Sequence, residues 1–395
     1  MRPVAYLFER FPSFGQTFCY REVAELVRQG AELSLFSIRR PVGEPPQDWD
    51  EAIVSRVVYL PEEKALVAEI DRAAKAGELP EAAVRGLKAW GRQSDFLRLY
   101  QAVFVGLRLR EAGSRRVHAH FAGMAARTAY WVREFFGIDY SFTAHANDIF
   151  APRDFVVSLA KLFESATAVV TVSDFSAEQL RRQFPGAAGK IHRVYNGIQL
   201  ERFRPATLAA EVPVIVSVGR LIEKKGFADL VSACALLKER GCHFRCEIVG
   251  EGPLHDALAA QIEHVALGDC MQLVGPRGER EIVESLARAA VFVLPCVVEA
   301  DGGMDNLPTV IMEAMAAGLP VISTPVAGVP EMVQPGVTGE LVPPHDPPAL
   351  AEAMQTMISG VALARRLGDA GRRAAAEKFA IEVNVRSLTA ILNDS

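Results

Sequence analysis

The stretch VIVSVGRLIEKKG, Val214–Gly226, decides the fold class. Its first five residues form an apolar, mostly β-branched run, Gly219 interrupts it, and a polar segment ends at Gly226, where FADLVSACALLKE begins with apolar residues at helical spacing. A strand apolar on both faces must be covered on both, which is the condition of a parallel sheet with crossover helices. The same alternation extends in both directions. Downstream it predicts strands at Arg245–Val249, Gln272–Val274, Val291–Leu294 and Val321–Ser323. Upstream it predicts them at Val4–Phe8, Leu33–Ile38, Val57–Leu60, Val117–Ala119, Ser141–Thr143, Val169–Val172 and Ile191–Tyr195. Between the two sets lies VYNGIQLERFRP, Val194–Pro205, whose Asn-Gly turn and polar, Pro-terminated continuation read as a linker. The expectation is an α/β chain of two doubly wound, Rossmann-like halves, residues 1–200 and 201–375, facing a cleft at the carboxyl ends of their strands.

Length and composition agree. The chain has 395 residues, is 50% hydrophobic and carries a net charge of −5, which excludes disorder and a disulfide-knotted mini-protein. Two cores are expected, since single cores seldom grow past ~250–300 residues. No run approaches the ~18 apolar residues of a membrane span. Met1 leads directly into strand-like VAYLF, so a cytoplasmic protein is expected. The six cysteines include no CxxC pair and read as reduced. Residues 1–200 hold 26 Lys+Arg against 23 Asp+Glu, so the first half is the basic one. Much of the excess lies between Arg85 and Arg116, interleaved with apolar residues. Such a stretch can face anionic lipid at the inner membrane, or be a solvated helix face over a core, which sequence alone favours. A pI near 6.0 and the lack of a reader motif argue against nucleic acid.

Motifs cluster at the predicted strand ends. Gly219, Arg220, Lys224 and Lys225 form a Gly-bounded basic loop before a helix start, which suits a diphosphate better than a merely solvated turn. Gly250 and Gly252 in GEGP, and Arg277 in GPRG, lie on similar strand-to-helix turns and are ordinary when taken singly. The run EADGGMDNLPTVIMEAMAAG, Glu299–Gly318, is the most informative. Asn306 is placed to cap a helix reaching about Ala317 with Pro308 in its first turn, and the free N–H groups of that first turn, Leu307 and Thr309 among them, would suit an anion. Thr309 and Glu313 share one helix face, with Asp305 eight residues before Glu313. Carboxylates beside an anion site repel phosphate, so hydrogen bonds from sugar hydroxyls are their fitting task. Complementing the helix dipole accounts for Asp305 but not for Glu313 in the second turn.

In the first half, FPSFGQTF (Phe11–Phe18) places Gly15, Gln16 and Thr17 at the cleft rim, either to contact sugar or phosphate or to cap the first helix. THAND puts His145 and Asp148 on a loop after a strand, where a histidine can meet a hydroxyl or the transferred group. His118 and His120 alternate on one strand and point to one face, which reads as structural or supporting. None of these motifs calls for a divalent cation, and no nucleophile elbow appears. FERFPSFGQ lacks the G-x-G-x-x-G turn of a dehydrogenase.

Taken in order, GRLIEKKG, GEGP, DNLPTVIMEAMAAGLPVISTPVAGVPEMV, GVTGELVPP and HDPPALAEAM resemble glycosyltransferase family 4, the retaining GT-B enzymes. FPSFGQTF, VHAHFA, FTAHANDIF and VSDFSAEQL are similar to its bacterial exopolysaccharide and lipopolysaccharide branch, the colanic-acid and amylovoran type. The resemblance implies a nucleotide-diphospho-sugar donor on the second domain and no cofactor or metal. It implies Arg220 and Lys225 as diphosphate ligands, the backbone of Asn306–Thr309 as the diphosphate-binding helix start, and Glu313 as the ribose ligand. Asp305 falls where the family has a glutamate that touches the donor sugar; the charge is kept and the reach shortened by one methylene. Asn306 replaces a usual glycine, and Gln16 stands where the branch often has glutamate. His145 matches a histidine placed by the donor sugar, so catalysis is expected from His145, Arg220, Lys225 and Asp305. On the acceptor side Gly15, Gln16, Thr17, His120 and Asp148 are expected. The acceptor implied is a glycan or polyprenyl-linked oligosaccharide. A terminal helix over 376–395 is expected to return to the first domain. Rival readings are a nucleotide-sugar 2-epimerase, which the GRLIEKKG and donor-helix motifs disfavour, and a nucleotide-sugar-binding scaffold of a polysaccharide assembly complex.

Overall fold

A computed structural model describes residues 4–45, 47–90, 94–150, 155–208 and 211–394. The first sheet comprises β1 (Val4–Arg10), β2 (Leu33–Arg39), β3 (Val57–Tyr59), β4 (Arg116–His120), β5 (Asp139–Ala144), β6 (Ala168–Thr171) and β7 (Ile191–Arg193). Its order is β3-β2-β1-β4-β5-β6-β7, with every neighbouring pair parallel. The second comprises β8 (Val214–Val218), β9 (Arg245–Val249), β10 (Met271–Gly275), β11 (Val291–Leu294), β12 (Val321–Ser323) and β13 (Gly339–Leu341). Its order, β10-β9-β8-β11-β12-β13, is likewise all parallel. Both sheets reverse winding direction beside their first strand, the point where such sheets open a ligand crevice. Strand β13 is the one that sequence reading missed: GEL opens on glycine and holds a central glutamate, so it shows no apolar run.

Burial explains the continuous apolar runs. Along β1 the side chains alternate between two cores: Ala5 and Leu7 join the helices on one face, while Val4, Tyr6 and Phe8 join those on the other. The helix Ile381–Asp394 closes this second core, contributing Ile381, Val385, Leu388 and Leu392 beside β1 and β2. The preceding helix, Val361–Lys378, packs with the second domain, so the chain crosses back at Phe379–Ala380. The outgoing and returning crossings run side by side, with Ile198 N–H donating to Phe379 O at 2.8 Å and Ile381 N–H to Ile198 O at 3.0 Å. Gly197 is required there because a Cβ would collide with the Ile381 backbone.

The main helix of the basic segment in the first half, Phe96–Glu111, is a core element rather than a solvated face, packed among Glu63–Lys75, Glu81–Trp90 and Met124–Phe136. Its cations are used internally: Arg98 is buried and bonds Asp95 at 3.1 Å, Arg108 bonds Glu69 at 3.1 Å, and Arg110 bonds the Glu78 carbonyl at 2.9 Å. Arg92, counted in the same excess, lies outside the described residues. Among the described residues no helix is long and apolar enough to cross a membrane.

Candidate functional site

The carboxyl edges of the two sheets enclose a cleft of about 590 Å³, lined from both domains. Of the residues singled out by sequence, Gly15, Gln16, Thr17, His145, Gly219, Arg220, Lys225, Gly250, Arg277, Glu313 and the run Asp305–Thr309 line it. Gly250 brings the β9 turn hard against the β8 turn: at φ 146° a side chain there would overlap the Gly219 carbonyl.

On the second domain, Arg220 is exposed at the end of β8, and its guanidinium has no hydrogen-bond or ion-pair partner among the described residues. Lys225 is half-buried and ion-paired with Asp305; desolvation works against its charge, but the Asp305 carboxylate outweighs it and raises its pKa. The same carboxylate, together with burial, pushes the Cys296 thiol up to about 12. Lys224 lies 3.8 Å from Asp305 and also reaches Asn147 of the first domain at 3.4 Å. The helix after Pro308 runs Thr309–Ala316, and its first turn, Thr309 and Val310, opens onto the cleft.

Asn306 is not the cap of this helix, which starts three residues later after Pro308. Its buried side chain spans the domains instead, accepting from Ser173 Oγ at 2.6 Å and donating to Ser176 Oγ at 3.1 Å. Ser173 caps the first-domain helix Asp174–Gln183, and Glu331 of the second domain accepts from the amides of Asp174 and Phe175 at 2.8 and 2.9 Å. A helix N-terminus of one domain is thus capped by a carboxylate of the other.

Glu313 is buried, and the side chain facing it is Arg21, from the first-domain helix Thr17–Arg28. Arg21 Nη1 donates to Glu313 Oε1 at 2.8 Å and Nη2 to Glu279 Oε1 at 3.0 Å, while Arg202 holds the other Glu279 oxygen at 2.8 Å. Burial raises the Glu313 pKa, and Arg21 opposes that rise. Sequence reading missed Arg21 and Glu279. It also missed Glu44, which accepts from Phe14 N–H at 2.6 Å and Ser13 Oγ at 3.0 Å and so orders the Phe11–Gln16 turn. Gln16 occupies the position before the first helix without a capping hydrogen bond, which leaves its amide to the cleft.

Three expected site residues lie off the cleft wall. Gly252 packs beneath Leu221 rather than facing the cavity. His120 is buried behind His145, with its two ring nitrogens facing His145 and Glu22. Asp148 turns back to accept from the His145 amide at 2.9 Å, so it shapes the loop instead of meeting an acceptor. Burial pushes the Asp148 carboxyl up to about 6 from 3.8, more than the amide hydrogen bonds and Arg127 lower it. Between those two values the folded chain holds a proton that the unfolded chain has lost, so this group makes stability fall as pH rises through the window. Asp148→Asn removes the effect: its stability relative to wild type should improve from about pH 4 to pH 7 by up to ~3 kcal/mol in urea denaturation. A flat difference would contradict the assignment.

Where the sequence suggested no metal-type cluster, the fold assembles two among the described residues: Cys19, His120 and His145, and Glu22, His118 and His120. They share His120, and His118 is itself engaged by Ser141 at 2.9 Å and Thr143 at 3.0 Å.

Comparison with known proteins divides the chain at the same place as its two sheets. Residues 15–202 match the family described as Glycosyltransferase Family 4, and residues 199–374 match Glycosyl transferases group 1. The chain is 30% identical over 378 residues to an Escherichia coli protein named as a colanic acid biosynthesis glycosyltransferase, WcaL, covering 89% of each. Among solved structures it superposes on sucrose-phosphate synthase from Thermosynechococcus elongatus with a TM-score of 0.76 at 21% identity, covering 100% of this chain and 99% of that one. It also superposes on Anabaena HepE in complex with UDP-glucose with a TM-score of 0.73 at 16% identity, over the whole of both chains. Both neighbours share the two-domain GT-B fold.

Proposed function

Because this chain belongs to the family 4, group 1 glycosyltransferases, we propose that it moves a hexose, with retention, from a nucleoside-diphospho-sugar to a hydroxyl of a glycan or lipid-linked glycan. The process proposed is assembly of a bacterial exopolysaccharide or lipopolysaccharide, as the name of the colanic-acid relative suggests. UDP is the carrier nucleotide of first choice, because a neighbour of the same fold holds UDP-glucose.

The observation that carries the reading is the facing of unlike groups across one cleft. Arg220, Lys225 and the first turn of Thr309–Ala316 form a cationic and amide-lined wall, Glu313 lies one helical turn deeper, and His145 comes from the opposite domain. Departure of a nucleoside diphosphate leaves an oxocarbenium-like sugar, and the main catalytic demand is to stabilise the charge gathering on the leaving phosphate. Arg220 and Lys225 meet it with a fork and a point charge, and the helix amides add fixed dipoles. Glu313 is placed to accept from ribose hydroxyls, and Asp305 from hydroxyls of the sugar. Retention follows if the acceptor attacks on the face the phosphate leaves, its proton passing to the departing phosphate oxygen. The interdomain contacts around Asn306 and Glu331 tie the domains together beside the cleft, and closure on the bound donor would exclude the water that hydrolyses it.

A thermal-shift screen against UDP, GDP, ADP and their sugars tests the donor site. At 100 times its dissociation constant a ligand stabilises by ~2.7 kcal/mol. One nucleotide family should give a clear shift, and folded protein indifferent to all of them would refute the reading.

A further inference from the structure

Arg21 reaches the second domain's side of the cleft from the first domain. Two helices meet there with the same spacing: Thr17 and Arg21 on Thr17–Arg28, and Thr309 and Glu313 on Thr309–Ala316, all line the cleft. Residues four apart share one side of a helix, so each helix turns the side of its first two turns to the same space. Arg21 and Glu313 are the enclosed pair, with side chains only 6% and 5% exposed.

Their contact uses half of the carboxylate. Arg21 Nη1 donates to Glu313 Oε1 at 2.8 Å, and Glu313 Oε2 has no hydrogen-bond partner among the described residues. Nor is Oε2 one of the buried atoms left without a partner, so it is open to the cleft.

Arg21 is also anchored independently of Glu313. Its Nη2 donates to Glu279 Oε1 at 3.0 Å, and Arg202 holds Glu279 Oε2 at 2.8 Å. The Glu279 amide donates in turn to Gln47 Oε1 of the first domain at 3.4 Å. Cys19, Val23 and Leu26 fix the helix that carries Arg21 in the first-domain core.

A guanidinium standing in the place of a ligand would have to leave before the ligand could bind. Arg21 is tied down by Glu279 and by its own helix, and the open oxygen of Glu313 makes its departure unnecessary. Holding Oε1 instead fixes the plane of the carboxylate and favours its charged form, against the push of burial toward the neutral one. A charged, oriented oxygen is the stronger acceptor for a hydroxyl.

We propose that Arg21 is a positioning residue for nucleotide recognition: it holds Glu313 by one oxygen so that the other accepts from a ribose hydroxyl. The ribose as ligand rests on the transferase reading; the arrangement of Arg21 and Glu313 does not. The ribose site is then built by both domains, and a nucleotide on the second domain alone would meet a Glu313 free to rotate and to take up a proton. Domain closure and recognition of the ribose become one event.

The test is titration calorimetry on the full chain with UDP, GDP and ADP, each against its 2′,3′-dideoxy counterpart, which lacks both ribose hydroxyls. Wild type should bind one of these ribonucleotides ~10–100-fold more tightly than its dideoxy counterpart, the range of a hydrogen bond to a charged group. In Arg21→Met the preference should fall to about threefold through loss of ribonucleotide affinity, with the dideoxy affinity within about twofold of wild type. A merely structural role would weaken both ligands alike or neither. Glu313→Gln should show the same narrowed preference, and adding Arg21→Met to it should narrow it no further. Arg21→Lys, which replaces the planar fork by a point charge, should fall part-way and serves if Arg21→Met does not fold. Full wild-type preference in folded Arg21→Met, or in Arg21→Lys in its place, would overturn the proposal and leave the pair a latch between domains. So would tighter ribonucleotide binding by either variant, which would make Arg21 a competitor for Glu313, or a wild type that binds the ribonucleotide and its dideoxy counterpart alike. Wild type that binds none of these nucleotides would refute the transferase reading itself.

Discussion

Lys225→Ala is expected to lower kcat by a factor of ~10²–10³, the usual consequence of removing one preorganised group that stabilises developing negative charge. The ammonium lies at the end of the β8 loop, on the cleft wall beside Arg220 and ion-paired with Asp305. Its removal does not strand Asp305, because Lys224 remains 3.8 Å away. Thermal stability should therefore change far less than turnover. Initial rates with the donor found by thermal shift provide the measurement, and the donor-off background provides the reference. Folded Lys225→Ala protein with wild-type rate would contradict the transferase chemistry. Unchanged polymer output in cells carrying that variant would instead favour the scaffold reading.

Arg21→Met should be the most destabilising single change at the cleft, by ~3–5 kcal/mol near neutral pH, because removing one partner of a buried pair leaves the other as an uncompensated charge. Arg21 and Glu313 are both nearly inaccessible, and Glu279 retains Arg202 while Glu313 loses its only charged partner among the described residues. The pH dependence follows from burial. Without Arg21 the folded-state pKa of Glu313 rises further above its unfolded value, so the variant's penalty appears as pH climbs through the folded pKa and shrinks below it. Adding Glu313→Gln should recover most of the loss at neutral pH, since the charge is then gone. Urea denaturation of wild type, both single variants and the double variant measures the coupling; additive losses would show that the pair does not act as a unit.

The sequence was most legible where a physical requirement is local. A strand buried on both faces is mostly apolar, so all but one of the thirteen strands among the described residues can be found without tertiary information, and the exception is β13. Turns that must approach another backbone or enter a helix need glycine or proline, which makes the β8, β9 and donor-helix loops visible as motifs and carries their resemblance to a known family.

Tertiary structure alone decided which groups meet. An arginine in the second turn of an amphipathic helix reads as a solvated side chain, and nothing near Arg21 in the chain indicates that Glu313, 292 residues away, is its partner. Asn306 has the spacing of a helix cap, yet the helix starts later and its amide joins two domains through Ser173 and Ser176. The basic run at Arg85–Arg116 has the composition of a surface helix, but three neighbouring helices enclose Phe96–Glu111. His118 and His120 can be placed on one face from their spacing alone. That His120 and not His118 touches His145 follows from the parallel register that sets His120 beside Thr143, two residues before His145. Local sequence determined the strands, the loops and the residue types at the cleft, because conformational preference and burial act over a few neighbouring residues. The pairing of those residues was left to the fold, because charge and hydrogen-bond partners are chosen by distance in space.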